Sequence, residues 1–117
     1  MVSTRAADVA EVLWELKRAG KLQDYTTIAK RAGFSAGANG RAIITCLKTV
    51  RRDWPHLQWW RAIKDDGVIE EKEQAELLRE NNFEVDEQKD GTLVLEINDQ
   101  DRMVWADEEA VQDQPDS

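Results

Sequence analysis

Little in this chain can be cross-linked or chelated. Cys46 is the single cysteine among 117 residues, so no internal disulfide can form, and His56 is the single histidine. A metal site of the His/Cys type is therefore not available. A lone thiol fits a reducing, cytoplasmic setting. No apolar run approaches the ~20 residues that span a bilayer. Met1 to Asp8 holds one arginine with no apolar core after it, so neither a signal peptide nor a membrane partner is expected. No Ser-His-Asp set, phosphate-binding loop or dinucleotide fingerprint occurs, and no cofactor is expected. The length suits one small domain, and five tryptophans help to fill its modest core.

Charge is what the chain has in plenty, and it is unevenly placed. The net charge of −8 argues on its face against nucleic acid. Up to Ala19, basic and acidic residues cancel. Gly20 to Lys64 holds nine basic residues and two acidic ones, a net of +7. Asp65 to Ser117 holds four basic and nineteen acidic, a net of −15. Such a chain can show a basic face to phosphates while its other end repels them. The plainer reading is that the acidic half only adds solubility.

Val9, Leu13 and Leu16 fall at helical spacing and predict a helix over Ala6 to Arg18, stopped by Gly20. Thr26 or Thr27 can cap a short second helix through Arg31, which Gly33 ends. Phe34 to Gly40 reads as a turn, and Asn39 as the cap of a third helix running to about Arg52, where Asp53-Trp54-Pro55 stops it. Two short helices joined by a Gly-containing turn read as a helix-turn-helix. In the third helix Ile43, Leu47 and Val50 face inward, and Arg41, Thr45, Lys48 and Arg52 share the outer side. A solvated basic face is the alternative to a DNA-binding one. Glu70 to Asn81 predicts a fourth helix. Phe83 to Ile97 predicts a hairpin turned at Asp90-Gly91, with a strand over Thr92 to Ile97. The expected class is α+β, mainly helical: a winged-helix-like domain with a helix-turn-helix and a C-terminal hairpin, one domain over 1–111. Gln112 to Ser117 is expected to be a disordered acidic tail.

Three landmarks carry a resemblance: Tyr25 with Ile28, Ala29, Ala32 and Gly33; Arg41-Ala42-Ile43-Ile44-Thr45-Cys46-Leu47-Lys48; and Gln58-Trp59-Trp60-Arg61-Ala62-Ile63. Together they resemble the DNA-binding half of the O-6-alkylguanine-DNA alkyltransferases, over about Val9 to Trp105. In that family a Pro-Cys-His-Arg-Val segment carries the cysteine that accepts the alkyl group. Here Gln58 takes the proline's place, Trp59 the cysteine's and Trp60 the histidine's. A tryptophan there marks the alkyltransferase-like proteins, which bind alkylated guanine without repairing it. The resemblance gives Tyr25 the tyrosine that crowds the phosphate beside the target nucleotide. It gives Arg41 the arginine finger that fills the space left by a flipped base. Ile44 stands where the family has glycine in its minor-groove helix. Lys64-Asp65-Asp66-Gly67 replaces the family's Asn-Ser-x-Gly, and Arg102 to Trp105 resembles its closing Arg-Trp element.

The resemblance thus implies a non-enzymatic DNA-damage recognition protein with no catalytic residue. It would dock in the minor groove of double-stranded DNA, flip O-6-alkylguanine and flag it for nucleotide excision repair proteins. DNA contacts are expected from Tyr25, Thr26, Thr27, Arg41, Thr45, Lys48 and Arg52, and a lesion pocket from Tyr25, Trp59, Trp60 and Arg61. Trp60 is expected to be mostly structural. A monomer is expected, cytoplasmic, and nucleoid-associated if the source is bacterial. Two rivals stand: an acidic helix-turn-helix module that has lost DNA binding and now binds a protein, and a residual transferase using Cys46.

Overall fold

The computed structural model describes residues 4–35, 37 and 40–105. The candidate cap Asn39 and the expected tail lie outside them. Helix α1 runs Thr4–Ala19 because Val9, Val12, Leu13 and Leu16 form one continuous buried stripe. It closes at Gly20, whose N–H donates to Lys17 O (3.2 Å), while Lys21 N–H donates to Leu16 O (3.0 Å). Strand β1 (Gln23–Asp24) leads directly into α2 (Tyr25–Ala32). The cap of α2 differs from expectation. Asp24, not a threonine, holds the helix start by accepting from Thr27 N–H at 2.7 Å. A carboxylate placed just outside the helix can accept from a free N–H of the first turn, which hydroxyls already inside that turn cannot do as well.

Helix α3 spans Arg41–Asp53 and starts from Gly40 in the left-handed region (φ 72°). A Cβ on Gly40 would also sit 3.1 Å from the Tyr25 ring. The chain then makes two single 3-10 turns, Pro55–Leu57 and Trp59–Arg61, and enters β2 (Ala62–Ile63). Strand β2 pairs in parallel with β1, Gln23 opposite Ala62 and Asp24 opposite Ile63. This pairing brings the tryptophan turn beside the helix-turn-helix.

Helix α4 covers Lys72–Glu80 and is shorter than expected, because Val68–Ile69 forms strand β3 and Glu71 stays extended just before the helix, without a side-chain capping bond. The hairpin is present as β4 (Asp86–Glu87) and β5 (Leu93–Val94), also shorter than expected. Its turn is closed by Gly91 N–H to Gln88 O (2.9 Å) and Thr92 N–H to Asp90 Oδ1 (2.9 Å). Strand β5 lies between β3 and β4, both antiparallel to it. A helix-turn-helix followed by this small sheet makes the domain a winged-helix fold.

Two buried clusters hold these parts. Val9, Leu13, Leu16, Ile28, Ile43 and Val50 belong to the first, with Trp105. Leu22, Trp60, Ile63, Ile69, Leu78 and Leu95 belong to the second. Gln74 bridges them, its buried amide donating to Trp60 O (3.0 Å) and Ala62 O (2.9 Å). The last described residues return to the start: Leu22 N–H donates to Asp101 O (2.7 Å) and Met103 N–H to Leu22 O (2.9 Å).

Candidate nucleic-acid interface

Amphipathic spacing turns Ile43, Leu47 and Val50 of α3 into the core and leaves Arg41, Thr45, Lys48 and Arg52 exposed along one side. Their situations differ. Arg41 and Lys48 make no ion pair with any described residue. Thr45 donates its hydroxyl to Arg41 O (3.0 Å), which leaves its methyl for contact. Arg52 is engaged by its neighbour Asp53 at 2.9 Å and draws that carboxyl below its ordinary range.

Helix N-termini attract anions through free N–H groups and the helix dipole. The start of α2 already holds two carboxylates. Asp24 takes Thr27 N–H, and Asp65 takes Thr26 N–H (3.0 Å) together with the Thr26 hydroxyl. Beside them lies a cavity of about 260 Å³ lined by Tyr25, Thr26, Gly37, Gly40, Lys64, Asp65 and Asp66. Gly40 permits this arrangement, since any side chain there would press on the Tyr25 ring. The Tyr25 phenol is pushed up to about 12, first by burial and then by Glu70, Glu71, Asp65 and Asp66. It therefore stays a protonated hydrogen-bond donor at neutral pH.

A second cavity, about 110 Å³, opens between Tyr25 and Trp59, with Ile44, Leu47, Lys48, Arg51, Lys64, Glu70, Glu71 and Gln74 among its lining residues. The Arg51 guanidinium lies 4.1 Å from the centroid of the Trp59 ring. Glu71 grips it at 2.6 Å and Glu73 grips its other nitrogen. Lys64 is held by Glu70 at 3.0 Å. The wall is presented by an unusual turn. Gln58 adopts a left-handed conformation (φ 61°, ψ 60°) that costs a non-glycine residue about 1–2 kcal/mol. Its side chain accepts from Arg61 Nε at 2.7 Å, which fixes the turn.

Trp60 and Arg61 border neither cavity. Trp60 is 5% exposed in the second cluster, and Arg61 is 6% exposed. The Arg61 guanidinium donates to Lys21 O (3.2 Å) and lies 4.6 Å from the Trp60 ring and 5.8 Å from Phe83. Burial lowers its hold on its proton. It has no carboxylate partner among the described residues, and ring faces and a carbonyl stabilise the charge instead. The structure therefore brings Tyr25 and Trp59 together at one cavity and sets their expected companions Trp60 and Arg61 behind it, as its support. Thr27 is placed at the α2 cap, its N–H taken by Asp24.

Cys46 is buried in the first cluster, and burial pushes its thiol up. His56 sits exposed on the Pro55–Leu57 turn. No group of three or more His, Cys, Asp or Glu suited to a metal occurs among the described residues.

No family model matches the chain, and no curated protein matches it by sequence. Its architecture, however, is known. The fold is similar to that of Atl1 from S. pombe. The crystal structure of that protein in complex with damaged DNA containing O6-carboxymethylguanine aligns with a TM-score of 0.72, covering 90% of this chain and 99% of that one, at 20% identity. The likeness agrees with the α+β winged helix expected from the sequence.

Arg51, Glu71 and Gln74 were not among the expected site residues. Arg51 had a signal: Ile44, Lys48 and Arg51 recur at i, i+4 and i+7 and all border the Trp59 cavity. Gln74 had none, because a lone glutamine in an acidic helix looks like any surface residue.

Proposed function

We propose that this protein recognises alkylated guanine in double-stranded DNA and does not repair it, in the manner of an alkyltransferase-like protein. The observation that carries the reading is the cavity between Tyr25 and Trp59, opening beside the uncommitted cations of α3, on a fold shared with a protein solved on damaged DNA. In this reading α3 docks in the minor groove. Arg41 enters the stack, where a planar cation offsets part of the few kcal/mol that flipping a base costs, roughly. Tyr25 donates to a phosphate beside the flipped nucleotide, and Trp59 stacks on the base. Lys48 contacts phosphate without distinguishing lesion from normal duplex.

Covalent transfer would need an activated thiolate at the pocket. Trp59 has no nucleophilic atom, and the Cys46 thiol is buried and raised. Repair would then fall to other proteins, nucleotide excision repair among them. Titrating the protein with matched duplexes, with and without O-6-methylguanine, tests the reading: tighter binding to the lesion duplex, with radiolabelled methyl staying on the DNA, is expected. Label on the protein would refute a non-enzymatic role.

A second reading has its own support in Asp65. Its carboxylate occupies the α2 N–H that a DNA phosphate would use, as expected of a helix-turn-helix turned to protein binding. Salt separates the two. DNA affinity should fall with a slope of about 0.9 log units per phosphate neutralised, whereas no binding at low salt favours the protein partner.

A further inference from the structure

The side chain now covering Trp59 says what chemistry its cavity accepts. Arg51 places a planar cation against the indole face at 4.1 Å, with its two terminal nitrogens donating to Glu71 and Glu73. Of the other lining residues, Lys64 is committed to Glu70 and Gln74 spends its amide hydrogens on Trp60 O and Ala62 O, while Lys48 borders the cavity without a described ion partner. A neutral ring that displaced Arg51 from Trp59 would lose the cation–ring attraction and leave Glu71 and Glu73 without their present donor. A flat cation carrying two adjacent N–H donors would replace both interactions.

We propose that the Tyr25–Trp59 cavity takes a ring-charged alkylpurine, N7-alkylguanine, in the position held by the Arg51 guanidinium. The N1–C2–N2 edge of guanine is a guanidine fragment with neighbouring in-plane donors, and alkylation at N7 places a positive charge on the ring while retaining the N1 proton. Alkylation at O6 does the opposite. It leaves the ring neutral and turns N1 into an acceptor, so only the N2 amino group remains to donate to the carboxylates, and O-6-alkylguanine fits this position less well than N7-alkylguanine. Cation–ring attraction strengthens when the site is desolvated, and charge-assisted bonds to carboxylates add direction. At the opposite wall the Tyr25 phenol is raised first by burial and then by carboxylates that include Glu71. Arg51, its side chain 37% exposed and held through its guanidinium, can swing toward solvent on a flexible stem.

This inference rests on the lesion-recognition reading, and the experiment separates the two. Affinities are measured for three matched duplexes: undamaged, O-6-methylguanine, and N7-methylguanine stabilised against base loss by a 2′-fluoroarabino sugar. The N7-methylguanine duplex should bind tighter than the undamaged one by on the order of tenfold, the size of a desolvated cation–ring contact. The double variant Glu71→Gln, Glu73→Gln should lower the ratio of N7-methylguanine to O-6-methylguanine affinity several-fold, because Gln keeps the shape and removes the charge. Preference for O-6-methylguanine with none for N7-methylguanine overturns the inference and leaves lesion recognition standing. Equal binding of all three duplexes overturns both. An N7-methylguanine preference that survives the double variant also overturns it, since the carboxylates would then play no part.

Discussion

The half of the molecule built from α1, α2 and α3 and the half built from α4 and the small sheet handle charge in opposite ways. The first leaves Arg41 and Lys48 exposed with no described ion partner. The second turns carboxylates toward the first, Glu71 and Glu73 onto Arg51 and the neighbouring Asp65 onto the start of α2, while Glu70 holds Lys64 in the connection after β2. A net charge of −8 therefore says little about the binding face. What matters is which cations the acidic half does not reach. Surface ion pairs of this kind each contribute only about 0–1 kcal/mol, so their consequence lies in shaping the interface more than in stability.

The hardest test of the comparison is whether the halves are separate at all. Leu13→Ala in the first cluster and Leu78→Ala in the second should each cost about 2–5 kcal/mol and shift one common melting transition. Gln74 and the parallel β1–β2 pair tie the clusters together. If Leu78→Ala instead lets the acidic half melt early, seen as separate near- and far-ultraviolet dichroism transitions, the halves are independent units.

The exposed cations sharpen it next. Lys48→Ala should flatten the salt dependence by about 0.9 log units per log unit of salt, for damaged and undamaged duplex alike. Arg41→Ala should reduce the preference for the lesion more than it reduces undamaged binding. Identical behaviour of the two variants would make Arg41 a phosphate contact and remove the case for a finger.

The two carboxylates at the start of α2 should then diverge. Asp24→Ala removes the cap and should cost about 0.5–2 kcal/mol of stability by thermal melting. Asp65→Ala should cost less and tighten binding to undamaged duplex at low salt, by freeing the Thr26 N–H. Weaker binding by Asp65→Ala would show that this carboxylate shapes the interface and does not guard it.

The smallest expected effect is spectroscopic. Tyr25 is the single tyrosine, so tyrosinate absorbance reads it alone. Its folded value of about 12 lies above the ordinary 10.0, so its contribution to stability is complete below pH 10 and is lost as pH climbs through 12. The absorbance step of the native protein should fall near the upper value. Glu70→Gln with Glu71→Gln should move it down only in part, since burial is the largest cause. A native step at the ordinary value would mean that Tyr25 is neither buried nor faced by the acidic half.

Elements with strong periodicity were legible in the sequence. Helix α1, the inward side of α3 and the Asp90-Gly91 turn follow from spacing and from glycine chemistry. The parallel pairing of β1 with β2 was not, because two-residue strands carry no alternation, and their register is set by contacts 39 residues apart. The α2 cap was misplaced because Asp24, two residues before Thr26, is an equally short-range cap signal in the sequence, and its carboxylate takes the Thr27 N–H. At the site, the basic stripe and Tyr25 could be read from position. The commitment of Arg51 to Trp59 and to two glutamates could not, because α4 has no sequence mark that aims it at α3.

The strap made by the last described residues sets an order in time. Trp105 Nε1 donates to Glu15 Oε1 at 2.5 Å across 90 residues, and Arg102 reaches Gln23 at 2.6 Å across 79. Contacts this distant along the chain form late and slow folding. At the 5–20 residues per second of synthesis, about 3–10 s separate the emergence of Asp53 from that of Trp105. During that interval α1, α2 and α3 can pack on one another, while the seat for Trp105 beside α1 stays open. A nascent chain would therefore show its cationic helix before the carboxylates that temper it have left the ribosome, next to the most concentrated polyanion in the cell.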